Sequence, residues 1–266
     1  SLNAQSFRAA CLAFAAFSLA SSSGYAVNDL ADAEDDRAHP GRASRPVASG
    51  AVSKRAAALV ALAFGFAALA LSAFVLPEGF LWPVAMYLLL TVVYSAYIKR
   101  LFLLDVLALT ALYNLRVFGG AVAIGVSVSS WLLAFGMFFF TSIAFAKRYI
   151  ELRKLIEEPA GEGEKRAPRR AYQAEDLAIF LSSGPASGYL AVLVLAMYAD
   201  SATVRSMYSQ PLFLWLFCPL LFYWVTRVWF LAHRGRLQYD PVAFVLRDPP
   251  SWCVFALGVA VLAAAL

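Results

Sequence analysis

Apolar residues fall into eight runs, at about 9–27, 56–77, 79–98, 101–126, 128–146, 177–199, 211–232 and 252–266, separated by polar segments. Most reach the roughly 20 residues that a helix needs to cross a hydrocarbon core of about 30 Å. The last is fifteen residues long and stops at Leu266. The period-two alternation of a membrane barrel is absent. The pattern predicts an all-α, polytopic membrane bundle of eight spans. Composition narrows it further: of 266 residues 62% are hydrophobic and 15% charged, whereas a soluble domain is nearer half apolar and a quarter charged. Disordered chains and disulfide-stapled secreted domains are excluded as well. Cys11, Cys218 and Cys253 lie singly inside apolar runs and read as small core residues.

Basic residues set the orientation. The segments 28–55, 99–100, 147–176 and 227–250 hold 5, 2, 8 and 4 Lys or Arg, together 19 of 22, and the alternate loops hold one, Arg205. Cytoplasmic loops carry such an excess, so the charged segments are expected to face the cytoplasm, from the inner membrane of a bacterium. One missed span would scramble that alternation. The net charge of +5 then reflects topology, and nucleic acid is not an expected partner; the lipid bilayer is. Residues 1–266 read as a single integral-membrane domain with two charged cytoplasmic active-site loops, 28–55 and 147–176. The chain opens at Ser1, near the start of a span and without a signal-peptide pattern; residues upstream are expected.

The strongest chemical signal is the acidic segment from Asn28 to Asp36. Asp29, Asp32 and Asp36 recur at spacings of three and four, which stacks them on one helix face, with Tyr25 and Asn28 beside them. Carboxylates crowded at a membrane boundary repel one another unless a cation neutralises them. Hard oxygen donors of this kind suit Mg2+ shared with a substrate diphosphate. The bland alternative is a solvated acidic helix end with Arg37, Arg42 and Arg45 as counter-charges. Arg42 and Arg45, between Pro40 and Pro46, are candidates for phosphate oxygens. His39 reads as packing beside the site.

The order Asn-Asp-x-x-Asp-x-x-x-Asp, His39-Pro40, then Arg45 to Gly50, resembles the first aspartate motif of the UbiA prenyltransferase superfamily, as does Tyr94-Ser95 through Lys99 to Asp105. The resemblance implies an intramembrane enzyme of nine helices, the first absent here, whose aspartates hold Mg2+ on a diphosphate donor. Aromatic prenyltransferases of that superfamily carry a second aspartate motif about 120 residues later. This chain has Lys147-Arg148-Tyr149-Ile150-Glu151-Leu152 there, which resembles the polyprenyl-phosphate phosphoribosyltransferase branch. Lys147 and Glu151 are four apart, and a cationic site suits a phosphate better than a second metal ion. A stop-transfer flank is the alternative for Lys147 and Arg148.

In the fourth span Asp105 and Arg116 are eleven residues apart, sharing a face about 16 Å apart by helix rise. An ionised residue near mid-membrane costs roughly 2.5–3.5 kcal/mol on insertion scales, so Arg116 is expected to face the bundle interior. It either contacts a substrate phosphate or pairs internally, with Tyr113 alongside. Tyr94 and Lys99 are expected to reach the same cavity, although Lys99 alone also fits an ordinary cytoplasmic flank. The segment 157–170, rich in Gly, Pro, Glu, Lys and Arg, reads as a mobile cytoplasmic loop, a linker in preference to a lid, and 233–248 carries no firm assignment.

The residues and the resemblance lead to one expectation. Asp29, Asp32, Asp36 and Lys147 are catalytic, the three aspartates as Mg2+ ligands. Asn28, Arg42, Arg45, Tyr94, Lys99, Asp105, Arg116, Arg148, Tyr149 and Glu151 bind substrate. The donor is phosphoribosyl pyrophosphate and the acceptor a lipid phosphate of decaprenyl-like type. The first rival is prenyl transfer from a polyprenyl diphosphate to an aromatic acceptor. The second is a transporter, for which Gly184-Pro185 and Gly188 are the one hint of a broken helix. Chain length of the lipid, homo-oligomerisation and any fused domain stay open.

Overall fold

In the computed structural model of the chain, residues 4–38, 43–157, 172–237 and 241–266 are described. They form two compact units, Ser1–Val128 and Ser129–Leu266. The first contains α1 (Ala4–Arg37), α2 (Lys54–Phe74), α3 (Leu81–Ala96), a 3-10 turn at Ile98–Arg100 and α4 (Leu104–Ala123). The second contains α5 (Ser130–Glu157), α6 (Asp176–Ala199), the short α7 (Ala202–Met207), a 3-10 segment Pro211–Leu216 leading into α8 (Phe217–His233), α9 (Pro241–Val245) and α10 (Pro249–Ala265). No strand occurs among the described residues. Among the described residues six helical segments are long and apolar enough to cross a membrane: α1, α2, α4, α5, α6 and Pro211–His233. The other two apolar runs form the shorter helices α3 and α10. The chain is an integral membrane protein, all-α as its hydrophobic pattern predicts.

Two helices outrun their apolar stretches. α1 continues through the acidic segment to Arg37, and α5 continues through Lys147–Glu151 to Glu157. The residues expected in loops 28–55 and 147–176 therefore begin on rigid helix ends. Helix starts are fixed by side-chain caps where the chain turns inward. Ser53 accepts from the Ala56 amide at α2, Ser201 from Val204 at α7, and Asp248 from Ser251 at α10, each satisfying an orphan N–H.

The core of the first unit is a small-against-large packing. Ala13, Ala16 and Ala20 of α1 and Ala68 of α2 let helices close in around Phe17, Phe80, Val84, Tyr87 and Leu112, the mode that helps helices associate in lipid. Phe17 meets Phe80 and Tyr87 edge-on, with ring centroids 5.8 and 5.6 Å apart. In the second unit the Ser142 hydroxyl of α5 donates to the Gly184 carbonyl of α6 at 2.7 Å and accepts from Trp229 Nε1 of α8 at 3.0 Å. A Cβ on Gly184 would stand 2.0 Å from the Trp229 ring, and one on Gly188 2.4 Å from Val225. α6 is continuous across Pro185. These glycines are contact points between whole helices, which removes the one hint of a transporter's broken helix. The cysteines also differ from expectation: Cys11 and Cys253 are exposed and Cys218 half-buried, on faces whose apolar character suits lipid.

Candidate functional site

The last third of α1 carries Asn28, Asp29, Asp32 and Asp36 along one face. Asp32 and Asp36 are buried, and the Asp29 side chain is 28% exposed. A buried carboxylate is costly unless it is paired and hydrogen-bonded, and each of these has a cation. α3 supplies one. Its residues Tyr87, Thr91 and Ser95, four apart and all buried, lead to Lys99 in the 3-10 turn. Lys99 is 5% exposed; its Nζ donates to Asp32 Oδ1 at 2.5 Å and to Asn28 Oδ1 at 3.3 Å. The segment after α1 supplies the other. Hydrogen bonds from the Ser49 amide to the Arg45 carbonyl and from the Val52 amide to the Pro46 carbonyl fold it tightly. Gly50 (φ 81°) takes the left-handed conformation there, and Arg37 Nε donates to the Ala48 carbonyl. Arg45 Nη1 thereby sits 2.9 Å from Asp36 Oδ2 and 3.5 Å from Asp29 Oδ1. The neighbouring Lys54–Glu34 pair is exposed and adds little.

Deeper in the first unit, Arg116 of α4 donates through Nη2 to the Tyr87 hydroxyl at 2.5 Å and to Ser21 Oγ at 3.1 Å. Its guanidinium lies over the rings of Tyr87 and Tyr113, 5.0 and 5.3 Å from their centroids. Arg116 thus bonds to hydroxyls and lies over rings, and it meets no carboxylate among the described residues. Asp105 is fully buried in the first turn of α4, where the positive end of the helix dipole favours a carboxylate. It follows Leu103, which holds a left-handed φ of 61°, a strained conformation for a branched residue. Tyr94 is half-buried on α3.

In the second unit, Lys147, Arg148, Tyr149 and Glu151 fall on the C-terminal part of α5. Arg148 is 1% exposed and donates to Glu151 at 2.6 Å. The expected one-face relation of Lys147 and Glu151 is thus overlaid by a direct Arg148–Glu151 pair; Lys147 is half-buried. Tyr149 is buried against Trp229, its hydroxyl 3.3 Å from His233 Nδ1. Arg153 donates to the carbonyls of Ala232 and His233, closing the C-terminus of α8 onto α5. One network had no sequence signal beyond a charged loop. Arg227 of α8 grips Asp248 through two bonds of 2.7 and 2.9 Å, and Asp248 also accepts from Ser251. Burial pushes the Asp248 carboxyl up, but the bonds from Arg227 and Ser251 outweigh it and hold it below the usual aspartate value.

Arg42 and His39 lie outside the described residues. The structure brings Asn28, Asp29, Asp32, Asp36, Arg45 and Lys99 together, with Lys99 buried and paired. The donors fit a hard divalent cation in kind, three carboxylates and an amide oxygen on one helix face. Among the described residues, however, no three His, Cys, Asp or Glu side chains are grouped so as to hold a metal ion. Arg45 and Lys99 occupy carboxylate oxygens instead.

This fold and this site have relatives. The UbiA prenyltransferase family profile matches residues 2–257, and the chain belongs to that family. It is an enzyme of the UbiA transferase superfamily. An uncharacterised protein of Sinorhizobium fredii, y4nM, is 36% identical over 92% of the chain and 46% of its own length. The nodulation protein NoeC of Azorhizobium caulinodans is 31% identical over 92% of the chain and 79% of its own length. The decaprenyl-phosphate phosphoribosyltransferase of Mycobacterium tuberculosis is 35% identical over 53% of the chain and 46% of its own length. The chain therefore spans about half the length of two of these three relatives. A solved UbiA homolog from Archaeoglobus fulgidus, bound to DMAPP and Mg2+, superposes with a TM-score of 0.69 at 19% identity, over 96% of this chain and 88% of that one. It shares the fold.

Proposed function

We propose that the chain transfers a 5-phosphoribosyl group from phosphoribosyl pyrophosphate to a decaprenyl-like polyprenyl phosphate, with 1–266 acting as one transferase domain in a bacterial inner membrane and its charged ends toward the cytoplasm. The observation that carries this reading is Lys147-Arg148 in the C-terminal part of α5, at the place where aromatic prenyltransferases carry a second aspartate motif. The partial likeness to decaprenyl-phosphate phosphoribosyltransferases supports it.

Both substrates are polyanions, so cations do most of the binding. Asp29, Asp32 and Asp36, with Asn28, are the groups that would hold Mg2+. Arg45 and Lys99 already take up carboxylate oxygens, so the metal would be shared between these side chains and the donor's pyrophosphate. Bound there, the metal supplies Lewis-acid stabilisation of the leaving pyrophosphate. Arg45, and Arg42 nearby in sequence, add hydrogen bonds to the same group as charge develops on it. Lys99 orients Asp32 through their hydrogen bond. Lys147 and Arg148 bind the acceptor phosphate, with Glu151 setting the Arg148 fork and Tyr149 bracing α5. Tyr94 and Asp105 shape the polar surroundings of Lys99 and of the start of α4. In the transfer, an acceptor phosphate oxygen forms the new bond to C1 of the ribose. The C1–oxygen bond to pyrophosphate breaks, its electron pair leaving with the pyrophosphate. A lipid phosphate is anionic at neutral pH, so no general base is required.

Prenyl transfer from a polyprenyl diphosphate to an aromatic acceptor is the second reading. It is favoured by the fold shared with a homolog that binds DMAPP and Mg2+. Purified protein with Mg2+, labelled phosphoribosyl pyrophosphate and a polyprenyl phosphate is expected to yield a labelled lipid. Asp32→Ala and Asp36→Ala are each expected to lower turnover at least ~100-fold, as losing one strong transition-state contact does. Full turnover in either variant refutes the aspartate assignment, and full turnover in Lys147→Ala refutes the cationic one.

A further inference from the structure

Arg116, half-buried, is built differently from the two cations beside the acidic face. Lys99 and Arg45 each meet a carboxylate; Arg116 meets none among the described residues, only the Tyr87 and Ser21 hydroxyls and two aromatic faces. The direction of those bonds is fixed. Ser21 Oγ donates to the Phe17 carbonyl at 2.7 Å, so the 3.1 Å bond between Ser21 and Tyr87 carries the Tyr87 proton. Tyr87 Oη is then an acceptor toward Arg116. The relay runs guanidinium to Tyr87 to Ser21 to the backbone, and it uses only Nη2. Nε and Nη1 make no hydrogen bond to a described residue, and neither is among the buried, unpartnered side-chain atoms. A fork of N–H donors stays accessible on a charge that no carboxylate among the described residues neutralises.

Its position gives the ligand. Ser21, Asn28, Asp32 and Asp36 follow one another on α1 at spacings of seven, four and four, which keeps them on one face. The Arg116 contact at Ser21 lies about 10 Å along the helix from Asn28. One helix face thus bears an acidic end suited to a diphosphate and, about the length of a phosphosugar away, an open guanidinium suited to a second anion. A prenyl diphosphate has one anionic end; a phosphosugar diphosphate has two.

Resting on the donor class proposed above, we infer that Arg116 binds the terminal 5-phosphate of the donor and is the residue by which the first unit distinguishes a phosphosugar diphosphate from a prenyl diphosphate. Tyr87 and Ser21 are positioning residues, holding Nη2 so that Nε and Nη1 face the phosphate.

The test uses the full chain in lipid nanodiscs, with ribose 5-phosphate as a binding probe and both donors as substrates. Arg116→Gln is expected to raise the KM for phosphoribosyl pyrophosphate and the ribose 5-phosphate Kd by ~10- to 100-fold, the value of a charge-assisted bond. The kcat and the KM for polyprenyl phosphate stay within about threefold. Arg116→Lys recovers part of the loss as a point charge, and Tyr87→Phe, which keeps the charge, raises the same KM several-fold. The two mutants also guard against a misfolded glutamine variant. Should the wild type fail to turn over phosphoribosyl pyrophosphate but still bind ribose 5-phosphate through Arg116, the proposed reaction falls and the phosphate site stands. Equal ribose 5-phosphate binding in wild type and Arg116→Lys or Arg116→Gln, no binding at all, or a loss of kcat and heat stability with KM unchanged overturns the inference.

Discussion

At the scale of single residues, charge compensation dominates the behaviour of this chain. Lys99 and Asp32 are buried together, so removing one takes the oppositely charged neighbour from the other. Lys99→Met is expected to cost roughly 3–5 kcal/mol of stability, read as a drop in unfolding temperature in detergent. The double replacement Lys99→Met with Asp32→Leu recovers most of that stability and none of the activity. A single variant as stable as wild type contradicts the buried-pair account. Asp248 makes a second residue-level case. Its folded-state pKa lies below the ordinary value, so its contribution is complete at neutral pH and is lost as pH falls through the folded value. Asp248→Asn is expected to unfold more easily near pH 7 and to show a shallower loss on acidification than wild type; parallel acid-unfolding limbs contradict that. The acidic face was legible in the sequence because spacing of three and four is a helix property. The Arg227–Asp248 clamp and the Arg116–Tyr87–Ser21 relay were not, because their members lie 21, 29 and 95 residues apart and only packing brings them together.

At the scale of helices, small residues decide where elements touch. Gly184 and Gly120 are both helical glycines, yet a Cβ at Gly184 meets the Trp229 ring at 2.0 Å and one at Gly120 meets nothing within 4 Å. Gly184→Ala is expected to destabilise by ~1–3 kcal/mol through overpacking, and Gly120→Ala to be neutral or to stabilise by up to ~1 kcal/mol through helix propensity. Unfolding of the two variants in one detergent checks the contrast, and equal effects refute it. Hydrophobic periods located all eight helical runs but misjudged how far α1 and α5 extend. Polar residues end an apolar run without ending a helix: Asp29 to Arg37 and Lys147 to Glu157 keep the backbone hydrogen bonds going. Gly184-Pro185 misled in the opposite way, since a helix packed on both sides tolerates what reads as a break.

At the scale of the whole molecule, topology follows from charge and function from the residues that break the apolar pattern. The cluster of 19 basic residues on one set of loops predicts that single cysteines placed at Ser49 and at Arg234, in a background free of native cysteine, react with an impermeant thiol reagent from the cytoplasmic side only. A cysteine at Arg205 is expected to react from the opposite side. Labelling of all three from one side contradicts the assigned orientation. The UbiA fold was legible by resemblance, through the acidic motif of α1 together with Arg45 to Gly50 and Tyr94 to Asp105. The donor was less so: the aspartates of the first unit suit any diphosphate, and the proposed distinction is argued from cations, Lys147-Arg148 in one unit and Arg116 in the other.

The central claim is the identity of the group transferred, and a competition decides it most directly. The wild-type chain in bilayers is offered Mg2+, phosphoribosyl pyrophosphate, polyprenyl phosphate, polyprenyl diphosphate and an aromatic acid together, and the extracted lipids are weighed by mass spectrometry. A polyprenyl phosphate carrying one added phosphoribosyl group, with the aromatic acid unchanged, is the predicted result. A prenylated aromatic acid with the polyprenyl phosphate untouched contradicts the account.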